Sequence, residues 1–187
     1  MSNMKVVASF LVGLLTMLKT ITVLAILTLI HGLDIDFEPI NVWKYFQHLS
    51  ATPRPSFYHQ KVVSFLKNYG ETNDFIVRQD RIGNLAIEIP STVKRDKIPK
   101  TCLQAHYDMV AEKNDDKEFD FEHDPIELIR DGEWIRANMT TLGADDGIGV
   151  AVALAIATDK SSKHGPLELV FTKGKIIIQS NKSQTKK

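Results

Sequence analysis

The residues whose types and spacing best suit metal chemistry lie in two stretches of this 187-residue chain. The first, TCLQAHYDMV, begins at residue 101 and carries His106 and Asp108. The second, TTLGADDGIGVAVALAIAT, begins at residue 140 and carries Asp145 and Asp146. Imidazole nitrogens and carboxylate oxygens are ligands that zinc accepts in proteins. The two stretches therefore form the candidate site.

His106 and Asp108 come at and just beyond the end of a predicted strand, residues 101–105. Two side chains two positions apart on an extended segment lean the same way. Asp108 can then accept the N–H of one ring nitrogen while the other ring nitrogen of His106 binds a cation. Open α/β sheets bind their ligands just past the carboxyl ends of strands. The alternative is that His106 is a core histidine with satisfied hydrogen bonds.

Asp145 and Asp146 lie in a GADDG turn before an apolar helix predicted over residues 148–157. The glycines permit backbone angles that are closed to other residues, and a carboxylate is favoured at a helix N-terminus. Asp145 could hold one metal ion or bridge two. In the alternative interpretation, either aspartate is an ordinary N-cap.

Four segments carry a resemblance to a known family: LQAHYDMV, FEHDPIELIRDGEWIRA, TTLGADDGIGVAVALA and HGPLELVFT. From about residue 41 to 172 the chain resembles the aminoacyl-histidine dipeptidase (Xaa-His dipeptidase) family of zinc metallopeptidases. The resemblance implies that His106 is a zinc ligand, that the catalytic residue Asp108 orients it, and that Asp145 bridges the metals. The implied cofactor is one or two zinc ions, with other divalent metals left open. It also implies metal-assisted hydrolysis of a small peptide, typically a dipeptide ending in histidine. Asp146 matches a position that is often Asn in the family and is not counted as a ligand.

The chain departs from the family after the segment LELVFT. Relatives continue with a Glu-Glu pair, a general base and a zinc ligand, whereas Lys173 and Gly174 stand here. The later ligands, and the dimerisation domain through which complete members form homodimers, have no counterpart. The resemblance therefore implies a truncated N-terminal portion that is weakly active or inactive alone. The alternative is a non-catalytic remnant, either metal-binding or a membrane-tethered interaction module.

Composition excludes some functions. The chain has 23 Lys and Arg against 23 Asp and Glu, so no basic surplus exists to neutralise nucleic-acid phosphates. The single cysteine, Cys102, rules out an internal disulfide and fits a reducing compartment. Its place within the predicted strand indicates a buried, small apolar side chain. The resemblance implies a cytoplasmic protein.

Three regions are predicted: a hydrophobic leader over 1–33, a partial metallopeptidase catalytic domain over 34–172, and a lysine-rich tail over 173–187. Between residues 6 and 33 the only charge is Lys19, so this stretch is long enough to cross a bilayer. A membrane anchor, a secretion signal and upstream sequence that is not part of the mature enzyme all remain open for it.

Hydrophobic periodicity and turn residues predict the remaining elements. Together they indicate an α/β fold, a truncated three-layer sandwich of the zinc-exopeptidase type with a parallel-biased sheet and an N-terminal hydrophobic helix. The predicted elements are a helix over 41–50, a helix over 58–69 ended by Gly70, a hairpin of 75–79 with 85–89, a hairpin of 126–130 with 133–137 turning at Asp131 and Gly132, and a strand over 167–171.

Overall fold

The structure is a computed structural model that describes residues 37–94 and 97–174. The predictions for the leader, and for the tail beyond residue 174, lie outside the described residues. The helices are α1 Ile40–Ala51, α2 Gln60–Thr72 and α3 Ala144–Thr158; the strands are β1 Ile76–Gln79, β2 Leu85–Ile89, β3 Thr101–His106, β4 Leu128–Asp131, β5 Trp134–Ala137 and β6 Leu167–Thr172.

A four-stranded sheet in the order β1-β2-β6-β3 forms the centre of the described residues, and β4 and β5 make a separate two-stranded sheet. The α/β class is confirmed. The parallel bias is wrong, because β3 pairs with β6 in parallel while β1 with β2 and β2 with β6 are antiparallel. The short connection from β1 to β2 allows only an antiparallel hairpin.

One face of the central sheet is apolar and lies under the helices. Residues of β2 alternate, with Leu85, Ile87 and Ile89 buried. Buried side chains of α2 and α3 belong to the same core as these three residues, so both helices lie on that face. The Tyr69 hydroxyl of α2 also donates to the main-chain oxygen of Leu154 in α3 at 2.7 Å. The other face carries charges, including Lys100 at 3.3 Å from Glu88. The described residues thus show one helical layer on one sheet, and the third layer stays a prediction.

Two predicted boundaries are wrong by a few residues. Helix α2 continues through Gly70 to Thr72. A Cβ at Gly70 would collide with the Val77 side chain of β1, so this glycine allows close packing and does not end the helix. In the second hairpin Asp131 pairs with Trp134, so the turn residues are Gly132 and Glu133.

Cys102 is exposed, and the prediction that it is buried is wrong. Strand β3 is the outermost strand of the central sheet beside β6. Thr101, Cys102 and Gln104 are therefore exposed, although Ala105 is buried against the helices. A run of uncharged residues predicted the strand correctly but did not show that it lies at an edge.

No helix within residues 37–94 and 97–174 combines the length and apolar character needed to cross a lipid bilayer.

Helix α3 provides a test of the core. We expect Leu154→Ala, at a fully buried position, to lower the free energy of unfolding by about 2 to 5 kcal/mol, since the cavity it leaves cannot fully collapse. Val152→Ala on the same helix shortens a residue that is 37% exposed and should change that free energy by about 0.5 kcal/mol. Urea unfolding of both variants measures the difference, and equal losses would contradict this packing.

Candidate metal centre

The end of β3 delivers the first half of the candidate site to a well-anchored loop. Beyond His106 the Tyr107 amide donates to the Thr172 carbonyl at 3.0 Å, which extends the pairing with β6. The Tyr107 ring is fully buried, and its hydroxyl donates to the Gly83 carbonyl at 3.1 Å. Burial raises the pKa of Tyr107 to about 12. The loop that carries Asp108 is therefore fixed on both sides.

His106 and Asp108 lie side by side. Nδ1 of His106 is 3.0 Å from Oδ1 of Asp108, and the other Asp108 oxygen accepts a hydrogen bond of 2.8 Å from the Ser56 hydroxyl. The two side chains are only 12% and 16% exposed. A carboxylate that accepts the Nδ1 proton leaves the Nε2 lone pair of a neutral ring available as a ligand.

The turn before α3 delivers the second half. Gly143 has a φ of 72°, and Asp145 and Asp146 have non-helical angles at the start of the helix, with a cis peptide bond between them. Oδ1 of Asp145 lies 3.0 Å from Nε2 of His106, and the Asp145 side chain is 72% exposed. The Asp146 carboxylate lies over Gly149. The structure thus brings His106, Asp108 and Asp145 together and turns Asp146 toward its own helix.

The geometry of His106 and Asp145 suits two ligands of one zinc ion. Zinc binds nitrogen and oxygen at about 2.0 to 2.2 Å in a tetrahedron, which places two such ligand atoms about 3.3 Å apart. The observed separation of 3.0 Å is close to that value. Within residues 37–94 and 97–174, no group of three or more His, Cys, Asp or Glu side chains is placed to hold a metal. His106 and Asp145 thus offer two ligand atoms at a suitable separation, without a complete set of ligands among the described residues.

A cavity of about 520 Å³ opens beside Asp108 among the described residues. Phe57 and Ile82 line it with exposed apolar side chains, 84% and 67% exposed. Its volume lies in the range of small-molecule sites. The cavity is lined by Ser56, Phe57, His59, Ile82, Asn84, Asp108, Thr172, Lys173 and Gly174.

Ser56 is a site residue that the sequence did not predict. Its hydroxyl fixes the Asp108 oxygen that points away from the histidine, and its amide donates to the Met109 carbonyl at 3.0 Å. The run Pro-Arg-Pro-Ser at 53–56 predicted only the end of a helix. A serine after a proline is common in loops, so its type alone carries no sign of this contact.

The described fold is shared by solved peptidase structures. A tripeptidase from Staphylococcus aureus aligns with a TM-score of 0.58 and 22% identity, over 71% of this chain and 36% of its own length. An aminopeptidase from Bacillus cereus aligns with a TM-score of 0.59 and 20% identity, over the same shares. At these identities the likeness defines the fold class: an α/β fold of the kind found in peptidases.

Two relatives define the resemblance more narrowly. The aminoacylhistidine dipeptidase of Vibrio alginolyticus aligns with a TM-score of 0.74 and 38% identity, over 78% of this chain. The cytosol non-specific dipeptidase of Escherichia coli K12 is 40% identical over 135 residues, 72% of this chain. The predicted resemblance to the aminoacyl-histidine dipeptidases is confirmed. The chain spans 30% and 28% of the lengths of these two proteins, and no protein-family profile matches it.

The packing of the Gly143 turn can be tested with two alanine substitutions. Gly143 and Gly132 both have positive φ, so each Gly→Ala change costs about 1 to 2 kcal/mol in backbone strain. A Cβ at Gly143 would also lie 2.6 Å from an Arg54 nitrogen and 2.8 Å from the Met109 sulfur, whereas a Cβ at Gly132 meets nothing within 4 Å. We expect Gly143→Ala to reduce the free energy of urea unfolding more than Gly132→Ala. Indistinguishable losses would show that the turn is not held against Arg54 and Met109.

Proposed function

We propose that this chain carries part of a zinc-dependent dipeptidase site, within a partial catalytic domain over residues 34–172. His106 and Asp145 bind the metal, and Asp108 is the residue that holds His106 in place. The observation that carries this proposal is the approach of Nε2 of His106 to Oδ1 of Asp145 at 3.0 Å while Asp108 occupies the other ring nitrogen. The names of the two dipeptidase relatives support peptide hydrolysis as the reaction class.

Each protein group has a distinct part in this mechanism. A bound divalent metal supplies polarisation of the scissile carbonyl and activation of water at neutral pH. Asp108 keeps the proton on Nδ1 of His106, so the ring presents Nε2 as a neutral ligand. Ser56 stops Asp108 from rotating away, through its 2.8 Å hydrogen bond. Asp145 offers an exposed carboxylate that balances the charge of the metal.

The substrate we propose is a small peptide, typically a dipeptide with histidine at its carboxyl end. The cavity beside Asp108 supports this, since it is large enough for a small molecule and borders the candidate site. The relative from Escherichia coli is named a cytosolic enzyme, which favours the cytoplasm as the location. A homodimer is the assembly that the resemblance implies for a complete family member.

One observation favours a second candidate function, a non-catalytic metal-binding remnant. Lys173 stands directly after β6, where the resemblance implies the glutamate that acts as general base. Its amide donates to the Asn84 side chain at 2.9 Å, so its backbone is fixed beside the cavity. A lysine at that place brings no carboxylate to accept a proton from water.

Calorimetric titration of the metal-free chain with zinc tests the proposed ligands. We expect weak binding by the unmodified chain that is lost in both His106→Ala and Asp145→Ala. Asp108→Ala should weaken it by about 10- to 100-fold, as the loss of a residue that orients a ligand usually does. His123→Ala is the matched control, because His123 also lies beside a carboxylate, 2.8 Å from Asp120. Binding that depends on His123 and is indifferent to His106 would refute the proposal.

Two peptidase assays separate the candidate functions. The chain alone, with zinc and a dipeptide ending in histidine, should show little or no turnover because the Glu-Glu pair is missing. A chimera in which residues 37–172 replace the matching part of the Escherichia coli dipeptidase should hydrolyse the dipeptide, and His106→Ala within it should abolish turnover. A folded chimera that binds zinc and stays inactive would instead support the non-catalytic remnant.

A further inference from the structure

Arg54 is a buried charged residue that the proposed chemistry does not use. It follows α1 and lies between two prolines. Arg54 is only 1% exposed and has the largest side chain among the fully buried residues that the structure describes. Arginine is almost never fully buried unless its charge has partners. A cation in this position therefore requires an explanation from its contacts.

The guanidinium group of Arg54 joins the two loops that carry the candidate site. Nη1 donates to the main-chain oxygen of Tyr107 at 3.2 Å and reaches that of Asp108 at 3.5 Å. Nη2 donates to the main-chain oxygen of Gly143 at 2.6 Å. One rigid group thus contacts the loop after β3 and the turn before α3, which are far apart in the sequence.

The backbone of Arg54 is fixed to one of these loops. The Met109 amide donates to the Arg54 carbonyl at 3.1 Å, and Pro55 and Met109 form a parallel bridge. The other loop is shaped around the guanidinium, because a Cβ at Gly143 or at Gly147 would lie 2.6 or 2.5 Å from Nη2. Glycine at both positions leaves the space that the arginine fills.

The charge of Arg54 is balanced from both sides of the site. Burial lowers the pKa of Arg54 to about 10, and the Asp108 and Asp146 carboxylates oppose that shift. The group therefore stays cationic at neutral pH between two anions. Its Nε finds no acceptor among the described residues. A buried donor without a partner destabilises the fold, so stability alone does not account for this arginine.

We propose that Arg54 is a positioning residue that sets the separation between His106 and Asp145. This inference rests on the proposed metal-binding function of that pair. The planar guanidinium spans both loops through two different nitrogens, so the Asp108 loop cannot move from the Gly143 turn without breaking a hydrogen bond. His106 and Asp145 are therefore held facing one another before any cation binds. A lysine offers a single nitrogen and cannot make the same bridge.

The first test needs no metal. Amide hydrogen exchange of the full chain is compared with that of Arg54→Met, which keeps the apolar stem and removes the charge. We expect faster exchange confined to residues 107–109 and 143–146. Leu66→Ala is the control, because it removes a fully buried side chain of α2, which carries neither loop. If both loops exchange in Arg54→Met as they do in the unmodified chain, Arg54 does not position them.

The second test is zinc affinity, measured by calorimetry. We expect Arg54→Lys and Arg54→Met to bind zinc about tenfold more weakly or worse, the range found when a supporting residue is removed. Leu66→Ala should bind as the unmodified chain does. Affinity that is unchanged in both arginine variants overturns the proposal. If the unmodified chain binds no zinc, the proposed function fails, and the exchange experiment still decides the role of Arg54.

Gly147→Ala provides an independent variant that retains the arginine. Its added methyl group would lie 2.5 Å from Nη2 and should displace the guanidinium, with faster exchange at the same two loops. This variant still tests the positioning role of Arg54 if the arginine substitutions do not fold. Exchange at residues 107–109 and 143–146 that matches the unmodified chain would count against a positioning role.

Discussion

The packing of α3 against β3 is the constraint on which the candidate site depends, because each element carries one half of it. His106 ends the strand, Asp145 lies at the start of the helix, and their side chains meet at 3.0 Å. Ala105 of the strand and Ala151, Ala153 and Ala157 of the helix, all small residues, belong to one buried core. Small side chains allow a helix to lie close to a sheet, so this core brings the two halves near one another.

The candidate site brings several charged groups close together, so the fold must place opposite charges beside one another. An imidazole lies between the carboxylates of Asp108 and Asp145, and a buried arginine lies behind them. Asp146, which the sequence set aside as a ligand, faces its own helix and contributes to the balance around that arginine. Asp108 accepts hydrogen bonds from both the Ser56 hydroxyl and Nδ1 of His106, and this series of contacts limits the freedom of each group. Such a series directs the remaining ring nitrogen toward the space where a cation would be bound.

Sequence reasoning predicted the helices and strands better than it predicted how they pack against one another. The helices, both hairpins and the last strand follow from periodicity and turn residues, which are local properties. The exposure of Cys102, the continuation of α2 through Gly70 and the antiparallel pairing of β2 with β6 depend on neighbours distant in sequence. His106, Asp108 and Asp145 were proposed because their types are chemically distinctive, and the structure brings the three side chains together. Ser56 and Arg54 were missed because a serine or an arginine beside prolines looks like an ordinary loop residue, and only tertiary contacts give it a role.

The central claim is that one imidazole and one carboxylate from separate elements bind the same divalent cation. Anomalous diffraction at the zinc absorption edge, from crystals of the chain grown with zinc, tests it most directly. We predict a peak at about 2.0 to 2.2 Å from both Nε2 of His106 and an oxygen of Asp145. A zinc peak bound elsewhere, with these two side chains still joined by a direct hydrogen bond, would contradict the account.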